Sequence, residues 1–207
     1  MGNLGKMYHA YHLQEGKYGF AHHLTTKGHL FRSKIGEGRH VLDLGSRDGT
    51  LTKVFAPGNS VVCLDVDEFA VKKCRRFGFA SVCADLNERL PFASSSFDVI
   101  ALADVLEHVP QGQELLDEIR RVLVPGGLFL GSTPNAFFWS NRAKMFCGKD
   151  PHEFMDPTHV RYFSLDSLRL TLSRCFIDSD VRPYGHHLLA DKLPKLFASD
   201  FFWSCRK

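Results

Sequence analysis

Short apolar runs alternate with amphipathic stretches from about residue 38 onward, and most of the runs end on an acid or a glycine. Val41-Leu-Asp-Leu44 and Val61-Val-Cys-Leu64 read as buried strands, the second closing on Asp65. Ala80-Ser-Val-Cys-Ala-Asp85 reads as a third strand ending on an acid, Ser96-Phe-Asp-Val-Ile-Ala-Leu-Ala-Asp104 as a fourth, and Leu128-Phe-Leu-Gly-Ser-Thr-Pro134 as a fifth. Between the last two, residues 111–124 carry Leu115, Leu116, Ile119, Val122 and Leu123 at helical spacing, stopped by Pro125-Gly126-Gly127. A helix starting at Asp67 is predicted to turn Phe69, Cys74 and Phe77 inward, with Glu68 and Lys72 as an exposed i,i+4 pair. Upstream, Phe20, Leu24, Phe31 and Ile35 predict a helix within residues 19–36. Downstream, Ser164-Leu-Asp-Ser-Leu168 is a capped helix start, and residues 176–184 and 200–206 are strand candidates. Strands alternating with helices predict a doubly wound α/β sandwich.

The chemistry begins where the first strand breaks, at Asp43-Leu-Gly45-Ser46-Arg47-Asp-Gly49. A strand feeding a glycine loop and a helix lets a ligand approach the backbone closely, and Asp65, with Val66 beside it, stands where a carboxylate can accept the hydroxyls of a ribose. A dinucleotide loop needs G-x-G-x-x-G. Here an acid precedes the loop and Arg47 takes the middle glycine's place. A carboxylate at Asp43 would repel a pyrophosphate and suits a cationic ammonium or sulfonium.

With this order (acid, glycine loop, acid, Asp85-Leu86, Phe97-Asp-Val-Ile, Glu107-His-Val, Leu123-Val-Pro-Gly-Gly) the sequence resembles the class I S-adenosylmethionine (SAM)-dependent methyltransferases, over residues 38–135 closely and 155–207 more loosely. Arg47 departs from the family's glycine loop, so its side chain must point away from the cofactor. The resemblance implies a Rossmann-like seven-stranded sheet with helices on both faces, its last two strands an antiparallel edge hairpin. It also implies SAM held by Asp43, Gly45, Ser46, Arg47, Gly49, Asp65, Val66, Asp85, Leu86 and Asp104. The expected organisation is one domain over residues 1–207. It divides into a helical cap (1–37), in which this family often places a lid over SAM, the SAM-binding core (38–135), a substrate-side loop region (136–163), and a C-terminal helix with the edge hairpin (164–207).

Composition adds limits. At 207 residues, 44% hydrophobic and 24% charged, the chain has the profile of one globular unit. No apolar run approaches the roughly 18 residues of a membrane span. The start lacks a signal-peptide core, and Lys6 in place of Ser or Thr argues against myristoylation at Gly2. Six scattered cysteines without a C-x-x-C pair fit reduced thiols in a cytoplasm. The net charge of +3 lies in the C-terminal third, too little to argue for nucleic acid as a partner. Oligomeric state is not legible.

Methyl transfer from a sulfonium needs in-line positioning, plus a base if the acceptor is a hydroxyl. If a helical turn begins at Asp104, then Asp104, Glu107 and His108 share one face. Pro157-Thr-His159-Val-Arg161 brings a second histidine from the excursion after strand five, a position that belongs to the binding rim in open α/β sheets. His108 and His159 are therefore the catalytic candidates. Asp104, Glu107, His108 and His159 are also a donor set for Mg²⁺ or Mn²⁺, and they resemble the E-x-x-E-H plus distant histidine of ubiquinone-biosynthesis O-methyltransferases and small-RNA 2′-O-methyltransferases. His108 as a metal-free pocket residue remains the other reading. His22, His23, His186 and His187 are expected to be surface or loop residues. Phe137-Phe138-Trp139 fits a ring-bearing acceptor or core packing equally. The leading expectation is a methyltransferase acting on an oxygen of a small molecule. An RNA 2′-O-methyltransferase and a SAM-binding regulator without catalysis are the alternatives.

Overall fold

A computed structural model describes residues 2–207 apart from 22, 152, 153, 155 and 185–188. The strands β1 (His40–Leu44), β2 (Ser60–Asp65), β3 (Ala80–Cys83), β4 (Phe97–Ala103), β5 (Leu123–Pro134), β6 (Ile177–Tyr184) and β7 (Asp200–Arg206) form one sheet in the order β3-β2-β1-β4-β5-β7-β6. The first five are parallel; β7 runs antiparallel to both β5 and β6. Alternate residues of the central strands feed two cores. Leu42, Leu44, Ile100 and Leu102 join one with Leu115, Leu116 and Ile119, whereas Val41, Val99 and Ala101 join the other with Phe31, Ile35 and Phe55. A parallel sheet needs this cover on both faces.

The cover comes from α1 (Asn3–Gln14), α2 (Leu24–Ile35), α3 (Thr52–Phe55), α4 (Glu68–Arg76), α5 (Gly112–Val122), α6 (Trp139–Phe146), α7 (Leu165–Ser173) and α8 (Pro194–Phe197). Ser164 caps α7 through a capping box with Ser167. At β5 the strand lacks room for any side chain on Gly131, because a Cβ there would lie 2.0 Å from the buried Trp203 ring.

Several boundaries differ from expectation for identifiable reasons. β3 stops at Cys83, so Asp85 lies in the turn beyond it, accepting from the Asn87 N–H and side-chain amide, both at 2.9 Å. α5 ends at Val122 because the buried Leu123 already pairs with Phe97; the Pro-Gly-Gly segment is a bulge within β5, with Gly126 at φ 72°. On α4 the inward residues are Ala70, Val71 and Cys74, while Phe69 and Phe77 face outward. Phe69 instead packs on His9 and Tyr18, and the Lys53 ammonium sits 4.1 Å from the Phe77 ring. The exposed Glu68–Lys72 pair forms at 2.9 Å. α1 was not anticipated. His23 lies in the loop that leads into α2, as its N-cap, largely enclosed and 3.6 Å from Asp200; His22, His186 and His187 lie outside the described residues.

Candidate active site

The glycine loop turns tightly: Gly45 and Gly49 take φ 70° and 76°, and a Cβ on Gly45 would lie 2.4 Å from Val105. Four of its N–H groups are bonded, three of them to β2. Those of Gly45 and Ser46 donate to the Leu64 carbonyl at 2.8 and 3.1 Å, that of Gly49 to Ser46 at 2.9 Å, and that of Arg47 to Asp65 Oδ2 at 2.8 Å. Such a loop offers no cradle for a phosphate. Ser46 Oγ faces Leu64 and Cys74, away from the rim. Arg47 holds φ 47°, and its guanidinium donates to the Phe20 carbonyl of the N-terminal segment.

Two carboxyls flank the loop. Asp43 is buried and accepts from Thr52 Oγ1 at 2.6 Å; burial pushes it up to about 7 against that hydrogen bond. Asp65, at the tip of β2, is 6% exposed and takes a backbone N–H on each oxygen, from Arg47 and, at 2.9 Å, from Asp67. Burial raises it above the usual carboxylate range. Each oxygen retains acceptor capacity for a second donor. Val66 and Leu86 are half-buried beside Asp65 and Asp85 in sequence.

α1 lies over this rim, held by polar aromatic side chains. Asp67, the N-cap of α4, accepts from Tyr18 and from His12 Nδ1 at 3.5 Å, while His9 stands 3.4 Å away. Burial works to raise the Asp67 carboxyl, but these bonds and the Phe69 N–H outweigh it and hold it at about 2. On the other side Tyr11 donates to Asp156 at 2.5 Å. Tyr8, between them, meets the His108 ring edge-on at 6.3 Å and is pushed up to about 12 by burial and the Asp65 charge. Asp48 fastens the following segment, accepting from the Gly19 N–H at 2.6 Å.

A second group of candidate residues gathers at the end of β4. A single 3₁₀ turn, Leu106–His108, replaces the helical turn expected from Asp104. Asp104 precedes it at φ 53°, and its carboxylate turns to Lys27 and Ser132. Glu107 and His108 therefore meet His159 without Asp104: the three offer ligand atoms within 4.8 Å of one another. The two histidines are 51 residues apart, but the excursion is sewn to the turn. Val160 and Arg161 N–H groups donate to the Glu107 carbonyl at 2.9 and 3.0 Å, and His108 Nδ1–H donates to the Thr158 carbonyl at 3.0 Å. The imidazole rings stand 4.7 Å apart. The Nδ1 bond fixes the tautomer and leaves Nε2 as acceptor. Burial, with His159 nearby, lowers His108 to about 4, so the ring is neutral at pH 7. Burial and the Asp104 charge raise Glu107 well above the carboxylate range; its Oε2 accepts from Thr133 at 3.0 Å, and its buried Oε1 has no partner. Glu107 and His159 line a small void of about 10 Å³ together with Thr133, Pro134, Arg161 and Tyr162. Trp139 is exposed, so the aromatic stretch is not simple core packing.

Sequence reasoning missed Lys27, Asp48, Asp156, Tyr8, Tyr11 and Tyr184. Asp48 lies in the glycine-loop motif but at a position given no role there; the others lie in no motif, and only the aromatic and histidine density of residues 8–12 sets the N-terminus apart.

The glycine loop thus has the N–H groups of Gly45, Ser46, Arg47 and Gly49 bonded, with one buried carboxyl before it and another at the tip of β2. Residues 42–131 match the family model of a methyltransferase domain. A probable S-adenosylmethionine-dependent methyltransferase of Mycolicibacterium smegmatis is 32% identical over 161 residues, 77% of this chain and 58% of that protein. A ubiquinone/menaquinone biosynthesis C-methyltransferase of Ectopseudomonas mendocina is 32% identical over 123 residues, 54% and 48% of the two chains. The chain thus spans about half the length of the curated relatives it matches. A SAM-dependent methyltransferase structure from Archaeoglobus fulgidus superposes with a TM-score of 0.74, covering 95% of this chain and 99% of the other at 18% identity, a likeness of fold.

Proposed function

From the premise that this chain carries a class I SAM-dependent methyltransferase domain, we propose that it transfers the SAM methyl group to an oxygen nucleophile of a small molecule. The observation that supports this is the meeting of Glu107, His108 and His159 just past the end of β4, with Glu107 two residues beyond the Val105 that leaves no room for a side chain on Gly45. When bound, SAM supplies an already activated methyl group. Asp65 would hold the ribose hydroxyls, Asp85 with the Leu86 N–H would serve the adenine, and Asp43 with the glycine loop would serve the methionine portion.

His108, held neutral and in one tautomer, takes the acceptor's proton on Nε2, and Glu107 and His159 orient the acceptor oxygen. An oriented base contributes about 10²–10⁴-fold when its pKa lies near the working pH, and the lowering of His108 to about 4 places it at the weak end of that range. A divalent cation on Glu107, His108 and His159 is the second reading, favoured by the spacing of their ligand atoms. The place of action is taken to be the cytoplasm, in keeping with six free cysteines; no helix among the described residues is long and apolar enough to cross a membrane.

The test is turnover of SAM to S-adenosylhomocysteine with phenols, sugars, carboxylic acids and RNA offered in parallel, with and without chelator. Turnover with a hydroxyl compound that is indifferent to chelator supports the base. Loss restored by Mg²⁺ or Mn²⁺ supports the metal. Turnover only with RNA, or none with any acceptor, contradicts the small-molecule reading.

A further inference from the structure

A surface helix ordinarily turns its apolar stripe toward the core. In the excursion after β5, α6 does the reverse. Of its eight residues only Asn141 is buried, and that side-chain amide donates to the Ala136 carbonyl at 3.1 Å. At about 100° per residue, Trp139, Ala143 and Phe146 fall on the far side from Asn141, and all three are exposed. Phe146 keeps 94% of its surface open and Trp139 45%.

Polar contacts fasten this helix in place of a buried stripe. Arg142 Nε donates to the Phe137 carbonyl at 2.6 Å, and its other end reaches the Lys195 carbonyl at 3.5 Å. The second bond brings α8 alongside, where Leu196, and Leu193 just before the helix, are exposed as well. Large apolar side chains gathered in the open mark an interaction site.

Charge decides what that site meets. Residues 135–149 hold Arg142, Lys144 and Lys149 and no acid, although the whole chain nearly balances 26 basic against 23 acidic residues. Protein interfaces are depleted in lysine. A helix lying in a lipid interface instead combines Trp and Phe with Lys and Arg, the rings entering the acyl boundary and the cations meeting anionic headgroups. We infer that α6 is such a helix: it lays Trp139 and Phe146 into an anionic lipid surface, with Arg142, Lys144 and Lys149 on the headgroups. Docking of this kind lies on the bilayer without crossing it, and it depends neither on SAM nor on the methyl acceptor.

The experiment is co-sedimentation of the chain with vesicles of phosphatidylcholine alone and of phosphatidylcholine mixed with phosphatidylglycerol, read in parallel by tryptophan emission. The chain has two tryptophans, and Trp203 is fully buried, so a change in emission reports Trp139. The anionic vesicles should bind about tenfold or more tightly than the neutral ones, with a blue shift, and release the chain as salt rises. Phe146→Ser, at a position too exposed to disturb the fold, should lower that binding by about tenfold. Lys144→Gln combined with Lys149→Gln should lower it by about ten- to thirtyfold and leave neutral vesicles unaffected. Equal binding to both vesicles, or anionic binding that survives Phe146→Ser, would overturn the inference. Binding to neither would overturn it too, and a self-associated chain made monomeric by Phe146→Ser would then assign the face to a second copy.

Discussion

The ends of β2 and β4 each lead into a buried carboxyl, and the two are finished in opposite ways. Asp65 has a backbone N–H on each oxygen, one from Arg47 of the glycine loop and one from Asp67, the N-cap of α4. Glu107 has one oxygen on Thr133 and the other unpartnered, beside an imidazole whose Nε2 is left as an acceptor. The β2 rim is complete before a ligand arrives, as a binding site that recognises one constant molecule should be. The β4 rim keeps polar capacity in reserve, as a site acting on a reacting group requires. Damage to the first should appear in affinity, and damage to the second in turnover.

The largest expected effect is on the β4 side. His108→Ala should lower kcat by about 10²-fold while SAM binding stays within about twofold, because the proton transfer belongs to the transition state. Equal loss of kcat and SAM affinity would place His108 in the cofactor site instead.

At the β2 side, Asp85→Leu should weaken SAM binding by about tenfold or more, whereas Asp85→Asn keeps an acceptor and should be mild. Similar small effects from both would move the adenine amine away from Asp85.

The lid comes next. Tyr18→Phe removes one charge-assisted bond from Asp67 and should loosen α1, raising hydrogen exchange across residues 3–14 and weakening SAM binding by about three- to tenfold. Unchanged exchange would mean that the ring packing of His9, Tyr18 and Phe69 holds α1 without the hydroxyl.

The effects of pH fall on stability rather than on affinity or turnover, and Asp43 and His108 oppose each other. Asp43 rises from 3.8 to about 7 on folding, so its contribution is full below about 3.8 and is lost as pH climbs through 7. His108 falls from 6.5 to about 4, so its contribution is full above about 6.5 and is lost as pH drops toward 4. Thermal unfolding of Asp43→Asn should show less decline between pH 4 and 7 than the wild type, and that of His108→Gln less decline between 6.5 and 4. Parallel profiles for variant and parent would contradict the assigned shifts.

The sheet was readable because buried parallel strands leave apolar runs of fixed length, and the acids at their ends mark the rim. α1 was not, because the face it lays on the rim is Tyr8, Tyr11 and His12, which bind by hydroxyl and imidazole and leave no aliphatic stripe. Phe69 was misplaced for the same reason: an aromatic on an amphipathic helix counts as core until a partner helix is known to cover it. The acceptor cluster was read from helical spacing. Glu107 and His108 do meet His159, but the left-handed turn at Asp104 sends that carboxylate to Lys27, a residue in no motif.

The division of labour between the two rims is tested most directly by one calorimetric titration of S-adenosylhomocysteine, run on Asp65→Ala and His108→Ala beside the parent. Losing a charge-assisted partner of the ribose should cost about 1.5–3 kcal/mol, a fall in affinity of roughly one to two decades for Asp65→Ala, with His108→Ala matching the parent. Unchanged affinity in Asp65→Ala, or an equal fall in both variants, would contradict it.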